Sequence, residues 1–154
     1  MDHKNKLKEL DIQDALKYAG SIINAVHDPL IILYEDFTVA LASLSFYQTF
    51  EVKPGETEGQ LIYELGNRQW DIPKLKQLLE EILPKTTSFD NFEIEHQFPR
   101  IGKRVMLLNA RRVYLQANRT KLIIITIKDI TELKKIAELQ EQVRNLELRL
   151  KTNF

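Results

Sequence analysis

The stretch Lys121-Leu-Ile-Ile-Ile-Thr-Ile-Lys-Asp-Ile-Thr-Glu-Leu-Lys-Lys135 decides how this chain folds, because it passes directly from an apolar, β-branched segment into a charged one. Residues Leu122 to Ile127 are rich in isoleucine, which suits a buried strand. Asp129 followed three residues later by Glu132 is a helix-start pattern, with Thr131 as a competing N-cap. The stretch therefore predicts a strand that leads straight into a helix.

Beyond Thr131, apolar residues recur at alternating steps of three and four, with Glu, Lys, Gln and Arg between them. They are Ile136, Leu139, Val143, Leu146 and Leu150. This spacing places them in one narrow stripe along a helix, the pattern of a coiled-coil seam. A lone helix has nothing in itself to cover such a stripe, so a second copy of the chain or another part of this one must do so.

The segment before the first strand shows a similar spacing. Its apolar or small residues are Ile12, Ala15, Ala19, Ile22 and Val26. They predict an amphipathic helix that ends before Asp28-Pro29, because a residue that precedes proline avoids the helical region. A frayed leader with only its last turn packed is the alternative.

Two short apolar runs and a compact helical middle follow. Leu30 to Tyr34 and Thr38 to Leu41 flank a short polar connection and predict a hairpin. A short helix is predicted around Gln60 to Leu65. A longer one is predicted from Ile72 to Leu83, with Asp71 as its N-cap, and its apolar face should close over the sheet.

Three longer strands complete the predicted sheet. The first has an alternating pattern in which apolar or aromatic residues face one way and Glu93, Glu95 and Gln97 face the other. The segment from Val105 to Val113 is apolar on both faces of the strand until Arg111, and the segment from Leu122 to Ile127 is apolar on both faces too. The sheet centre should therefore be covered on both faces. The helical middle can cover only one face. The other needs the N-terminal helix or a partner subunit.

Composition bounds the classes of function. The chain has 154 residues, with 22 Lys plus Arg and 22 Asp plus Glu, so no overall field attracts nucleic acid or an anionic membrane. It has no cysteine, which excludes disulfides and thiolate sites and fits a reducing compartment. No apolar run approaches the ~18 residues of a membrane span, and the first nine residues lack the apolar core of a signal peptide. We expect a soluble, cytoplasmic domain without direct membrane contact.

The polar residues of the sequence do not form a catalytic or metal-binding pattern. The histidines His3, His27 and His96 have no ligand-like spacing, and no metal site is expected. The sequence contains no nucleophile elbow and no phosphate-binding glycine loop. The Glu93/Glu95 pair is interpreted as a solvated face in preference to an acid and base pair.

The residues Asp129-Ile130-Thr131-Glu132, between a last strand and a coiled-coil-like helix, resemble the terminus of PAS sensor domains. The order of predicted elements before them is also similar to that family. Further stretches resemble a PAS subfamily attached to bacterial and archaeal sensor histidine kinases and chemotaxis methyltransferase fusions. They are Leu65-Gly-Asn-Arg-Gln-Trp-Asp-Ile-Pro73, Phe92-Glu-Ile-Glu-His96 and Met106-Leu-Leu-Asn-Ala-Arg-Arg112, and the resemblance spans residues 22–134.

The resemblance implies an α+β PAS fold: a five-stranded antiparallel sheet with helices on one face, flanked by N-terminal and C-terminal amphipathic helices. It places the N-terminal helix at residues 1–27, the PAS domain at 28–130 and the C-terminal signalling helix at 131–154. The chain departs from the family after the second strand, where many PAS domains carry an Asn and this one reads Ala42-Ser43. Ser43 can cap the next helix equally well, but the ligand contact usually assigned to that Asn has no counterpart.

The resemblance further implies a regulatory module of a signal-transduction protein that forms a parallel homodimer. Its signal should pass through Asp129, Ile130 and Thr131 to an output domain, for which a histidine kinase is expected. The Asp129 carboxylate can accept hydrogen bonds from the first free N–H groups of the helix. Arg111 or Arg112, on the neighbouring strand, is expected to reach the same carboxylate. The chain itself is not expected to be an enzyme.

PAS domains of this shape enclose a pocket between the sheet and the helical middle. The residues expected to line it are Ile32, Phe46, Tyr47, Leu61, Tyr63, Trp70, Leu75, Leu79, Phe92, Ile94 and Leu108. The same set describes an ordinary dry core. A sensor of a small molecule and a ligand-free dimerisation or docking scaffold therefore both remain open, with a small enzyme that uses the cavity as a third alternative.

No cofactor is expected. The flavin-adduct and photoactive-yellow-protein types of PAS photoreceptor need a cysteine, which this chain lacks. Haem-binding PAS domains usually supply a histidine from the helix that here runs from Ile72 to Leu83, and this helix has none.

Overall fold

The computed structural model describes residues 14, 16–115 and 120–153, without the side chains of residues 115 and 120. Helix α1 occupies residues 16–23. Three residues named in the predictions above, Ile12, Ala15 and His3, lie outside the described residues. Among the residues that are described, no helix combines the length and the apolar character needed to cross a membrane.

The elements after α1 follow in the order expected of the sequence. They are β1 (Leu30–Tyr34), β2 (Val39–Ala42), α2 (Leu44–Phe50), single 3₁₀ turns at Pro54–Glu56 and Ile62–Glu64, α3 (Leu65–Arg68), α4 (Pro73–Lys76), a π-helical turn (Gln77–Ile82), β3 (Ser88–Phe98), β4 (Gly102–Leu115), β5 (Thr120–Asp129) and α5 (Thr131–Thr152).

The five strands form one antiparallel sheet in the order β2-β1-β5-β4-β3. Strand β5 is central, because it pairs with β1 along one edge and with β4 along the other. This position explains why the side chains of Leu122 to Ile127 are mostly apolar on both faces of the strand. The predicted five-stranded antiparallel sheet is confirmed.

The main core lies between the inner face of the sheet and the helical middle. Ile94, Leu108 and Ile125 contribute from the sheet, while Phe46 and Leu75 contribute from the helices. Each of these side chains is at most 1% exposed. One close-packed core of this kind stabilises the domain mainly by removing apolar surface from water.

A second, smaller cluster covers part of the outer face. Ile23 of α1 packs with Leu30 and Ile32 of β1 and with Leu122 of β5. The N-terminal helix therefore lies on the outer face, which is one of the two arrangements that the sequence left open.

Helix α2 and helix α4 begin differently from one another. Ser43 caps α2, since its Oγ accepts a hydrogen bond from Phe46 N at 3.1 Å, as predicted. The prediction that Asp71 caps the next helix is wrong. Ile72 has an extended backbone because Pro73 follows it, so the helix starts one residue too late for the Asp71 carboxylate to reach its N–H groups. That carboxylate pairs instead with Lys76 Nζ at 2.8 Å.

Replacing Leu75, which is fully buried, with Ala should lower the free energy of unfolding by about 2–5 kcal/mol through lost burial and a residual cavity. Leu44→Ala is the matched control, because Leu44 is 51% exposed and the change should stay within about 0.5 kcal/mol. Urea unfolding followed by the fluorescence of the single tryptophan, Trp70, measures both. Equal losses for the two variants would contradict the described core.

Candidate functional site

The candidate site is the junction between β5 and α5. Strand β5 ends at Asp129 and α5 begins at Thr131, so only Ile130 separates the sheet from the last helix. Ile130 has a non-helical backbone and is 9% exposed, and Thr131 is 6% exposed. A buried connection of one residue leaves the helix little freedom to change direction relative to the strand.

The Asp129 carboxylate holds both sides of this junction. Its Oδ1 accepts hydrogen bonds from Thr131 N, at 3.0 Å, and from Thr131 Oγ1. Its Oδ2 accepts one from Arg104 Nη1 at 3.1 Å. The predicted bond from a free N–H group of the helix is therefore present, although Ile130 occupies the N-cap position itself.

The prediction that Arg111 or Arg112 reaches Asp129 is wrong, and the sheet register gives the reason. Arg111 lies opposite Ile124, which is five residues back along β5 and so about 17 Å from Asp129. Met106 is the residue opposite Asp129, which brings Arg104 within reach. The sequence shows which strands pair, but the register depends on a hairpin connection whose length it does not define.

Strand β4 contributes its backbone to the junction through Val105. Val105 N donates to Thr131 Oγ1 at 2.9 Å, and Val105 O accepts from Ile130 N at 2.8 Å. Val105 is 6% exposed, so both of its peptide groups would be costly to leave unpaired. The Thr131 side chain therefore joins α5 to β4 through a hydrogen bond, a role that the sequence did not predict.

Two ion pairs lie beside this attachment, and one of them joins the first turn of α5 to β3. Lys134 Nζ lies 2.7 Å from Glu93 Oε1, and Lys103 Nζ lies 2.6 Å from Glu95 Oε1. The hydrogen bond to Lys103 lowers the pKa of the Glu95 carboxyl, and the hydrogen bond to Glu93 raises the pKa of the Lys134 ammonium. Glu93 and Glu95 lie on an exposed face, as predicted, and each also forms an ion pair there. No pattern in the sequence relates Lys134 to a strand some forty residues earlier.

The apolar stripe of α5 is exposed along its length in the described part of the chain. Its members are Ile136, Leu139, Val143, Leu146 and Leu150, each between 52% and 61% exposed. In heptad terms Ile136, Val143 and Leu150 occupy a positions, while Leu139 and Leu146 occupy d positions. The described part of the chain therefore leaves this seam available to another surface.

The residues predicted to line a pocket divide into two groups. Ten lie in the main core or pack against it: Phe46, Tyr47, Leu61, Tyr63, Trp70, Leu75, Leu79, Phe92, Ile94 and Leu108. Ile32 does not, and its placement there is wrong. It points to the outer face with Ile23 and Leu122, because inner and outer side chains alternate along β1 and Ile31 and Leu33 take the inner positions.

Aromatic rings fill much of the space between the sheet and the helical middle. The ring of Trp70 lies 5.6 Å from Phe46, 4.8 Å from Phe50 and 5.5 Å from Phe98, centroid to centroid. The Tyr47 hydroxyl is buried beside this group and, among the described residues, has no hydrogen-bond partner. Burial raises the pKa of Tyr47 to about 12, with a smaller contribution from Glu58. In the described ranges, no three His, Asp or Glu side chains are grouped so as to hold a metal ion.

Replacing Thr131 with Val should lower the free energy of unfolding by about 1–3 kcal/mol, because the buried Val105 N–H loses its acceptor. Thr131→Ser is the matched control, since it keeps the hydroxyl. Chemical denaturation measures both variants beside the parent chain. A Val variant as stable as the Ser variant would show that the hydrogen bond from Val105 N to Thr131 Oγ1 contributes nothing to stability.

Tyr47→Phe should leave stability at neutral pH unchanged or raise it by up to about 1 kcal/mol, because it removes an unpaired hydroxyl. The parent chain should lose stability as pH rises from 10 towards 12. In that range the unfolded Tyr47 gives up its proton more readily than the folded one, whose pKa is raised. The variant should therefore lose less stability over the same interval. Unfolding curves at both ends of the interval test this, and parallel losses would refute it.

Comparison with known proteins agrees with this architecture. A family model described as a PAS domain matches residues 27–132. A search of curated protein sequences finds no match.

Solved structures of similar fold include the PAS domain of Bordetella pertussis BvgS, at 20% identity and a TM-score of 0.57, covering 84% of this chain and 98% of that one. The PAS domain of nitrogen regulation protein NR(II) from Vibrio parahaemolyticus is also similar, at 13% identity and a TM-score of 0.55, covering 73% of this chain and 97% of that one. At such identities the likeness concerns the fold alone. With the family match over most of its length, this chain belongs to the PAS domain family.

Proposed function

We propose that this chain is a cytoplasmic regulatory module that forms a parallel homodimer and relays a signal through α5 to an output domain, attached or associated. A histidine kinase is the output we favour, since the chain shares its fold with the PAS domain of a two-component sensor histidine kinase. The observation that carries the proposal is the exposed apolar seam of α5, which continues from a junction tied to the sheet. The proposed organisation has an N-terminal helix at 1–27, the PAS domain at 28–130 and the signalling helix at 131–154.

The identity of the seam residues supports a two-stranded coiled coil. Parallel pairs of helices favour β-branched residues at a and Leu at d. Here Ile136 and Val143 stand at a, and Leu139 and Leu146 stand at d. A second copy of the same helix would bury all of these side chains and remove their apolar surface from water.

The charges that flank the seam support the parallel orientation. Lys135 and Arg149 both occupy g positions. An antiparallel pair aligned on the seam would place Lys135 near Arg149 of the partner subunit, twice, and like charges at this distance repel. A parallel pair places Lys135 near a glutamine, Gln140 of the partner subunit, so no such repulsion arises.

The junction supports the relay. Asp129 and Thr131 connect α5 to β4 through Arg104 and Val105, and β4 lines the main core on its inner face. A shift of β4 therefore displaces the start of the helix. Because Ile130 is the only connecting residue, the displacement has no loop in which to be absorbed.

The cue for such a relay could be a small molecule, a partner or neither. The Tyr47 hydroxyl, which has no hydrogen-bond partner within the described ranges, is a group that a small polar ligand would bind, and it favours a sensor. The packed rings around Trp70 favour the alternative, a ligand-free dimerisation or docking scaffold. An enzyme that uses the cavity is the weakest candidate, because the sequence contains no nucleophile elbow and no phosphate-binding glycine loop. Native mass spectrometry of the purified chain distinguishes a bound metabolite from none.

Leu146→Glu should convert the dimer to a monomer, because it places a carboxylate in the middle of the paired seam. Leu148→Glu is the matched control, since Leu148 is 56% exposed and Leu146 is 57% exposed, but Leu148 occupies an f position away from the seam. Sedimentation equilibrium at tens of micromolar, about the range in which a standard interface holds, measures both. A monomeric parent chain would refute the homodimer.

The orientation is tested with single cysteines, which label uniquely because the chain has none of its own. A parallel pair brings the two copies of Leu150 together, so Leu150→Cys should form a disulfide-linked dimer on oxidation. Leu148→Cys, two residues away on the opposite side, should not. Dimers that sediment normally but fail to cross-link through Leu150→Cys would establish an antiparallel arrangement.

A further inference from the structure

Strand β3 presents two sets of side chains to two different parts of the molecule. Phe92 and Ile94 face the main core, where Ile94 is 1% exposed. Glu93 and Glu95 alternate with them on the outer face, and they carry the ion pairs to Lys134 and Lys103. One peptide unit therefore separates a core side chain from a side chain that contacts α5.

The residues of α5 that face the sheet lie opposite its seam. With Ile136 at position a, Thr131 and Glu138 occupy c positions and Lys134 occupies f. Thr131 is buried against β4, and Lys134 binds Glu93. Glu138 lines the same groove as Lys103 and Lys134. The sheet thus holds the c and f side of the helix, which turns the a and d side outward.

The ion pair between Lys134 and Glu93 is weak enough for α5 to detach from β3. The side chains of Lys134 and Glu93 are both 44% exposed, so solvent and salt screen their attraction. The pair is in direct contact at 2.7 Å, and a movement of β3 by 1–2 Å, on the order of the margin between a bonded and an unbonded pair, would separate it. By contrast, the hydrogen bond from Val105 to Thr131 is buried and would persist.

We propose that Glu93 and Lys134, with Glu95, Lys103 and Glu138 beside them, form a charge clamp that sets the rotation of α5 about its own axis. Repacking of Phe92 or Ile94 in the core shifts β3, opens the clamp and lets the seam rotate about the fixed point at Thr131. The regulatory role of this clamp rests on the proposed function, in which α5 relays a signal. Its contacts all lie within one chain, so it exists whether or not the chain dimerises.

Hydrogen exchange of the amides of residues 134–139 tests the clamp. Lys134→Glu should accelerate their exchange roughly two- to five-fold, the range that loss of a partly exposed ion pair allows. Lys135→Glu is the matched control, because it makes the same charge change one residue later, and in the described structure Glu93 and Glu95 pair with Lys134 and Lys103 and not with Lys135. Both variants place a carboxylate near the helix N-terminus, where the helix dipole favours it, so the dipole cannot cause the acceleration.

The charge swap Glu93→Lys with Lys134→Glu should return exchange to the rate of the parent chain. Equal exchange in Lys134→Glu and Lys135→Glu, or failure of the swap to restore the rate, would overturn the clamp. The same comparison in the Leu146→Glu background separates the two proposals. There the clamp should behave as before, even if the parent chain itself proves monomeric.

The coupling to the core is tested with Phe92→Leu. This variant should accelerate exchange of residues 134–139 in the parent chain and have no further effect once Lys134→Glu has opened the clamp. Leu75→Val, a core change on α4 and not on β3, controls for general loss of stability. Effects of Phe92→Leu that add fully to those of Lys134→Glu, or that Leu75→Val reproduces, would show that the core does not act through this ion pair.

Discussion

The pairing of β5 along both of its edges is the constraint on which the rest of the structure depends. A central strand with isoleucine side chains on both of its faces must be covered on both faces. The helical middle covers the inner face with Phe46 and Leu75, and α1 covers part of the outer face through Ile23. The arrangement of helices around the sheet follows from this requirement.

The end of the same strand determines where α5 can go. Val105 is buried, and Ile130 and Thr131 satisfy its two peptide groups. The helix therefore leaves the sheet along a path that hydrogen bonds define. Asp129 adds the link to Arg104, so a single carboxylate connects β5, β4 and α5. A helix fixed at its base and apolar along its far side is suited to carry a small rotation to whatever surface covers that side.

Electrostatics and burial act on different parts of this attachment. The buried bond from Val105 to Thr131 is costly to break and makes a permanent pivot. The ion pair of Glu93 with Lys134 is partly exposed, so it holds weakly and responds to small movements. A persistent hydrogen bond beside a weak ion pair would allow α5 to rotate about its base, whereas two strong contacts would hold the helix in one orientation.

The sequence by itself determined the elements that rest on local patterns: the isoleucine-rich strand, the helix start after Asp129, the seam from Ile136 to Leu150 and the Ser43 cap, along with the family. Only the tertiary structure decided the contacts that depend on register and on side-chain direction. It brought Arg104 and not Arg111 to Asp129, turned Ile32 to the outer face, and joined Lys134 to Glu93. A shift of one residue in pairing reverses every side chain of a strand. Local periodicity carries no information about that shift, because partners distant in the chain set it.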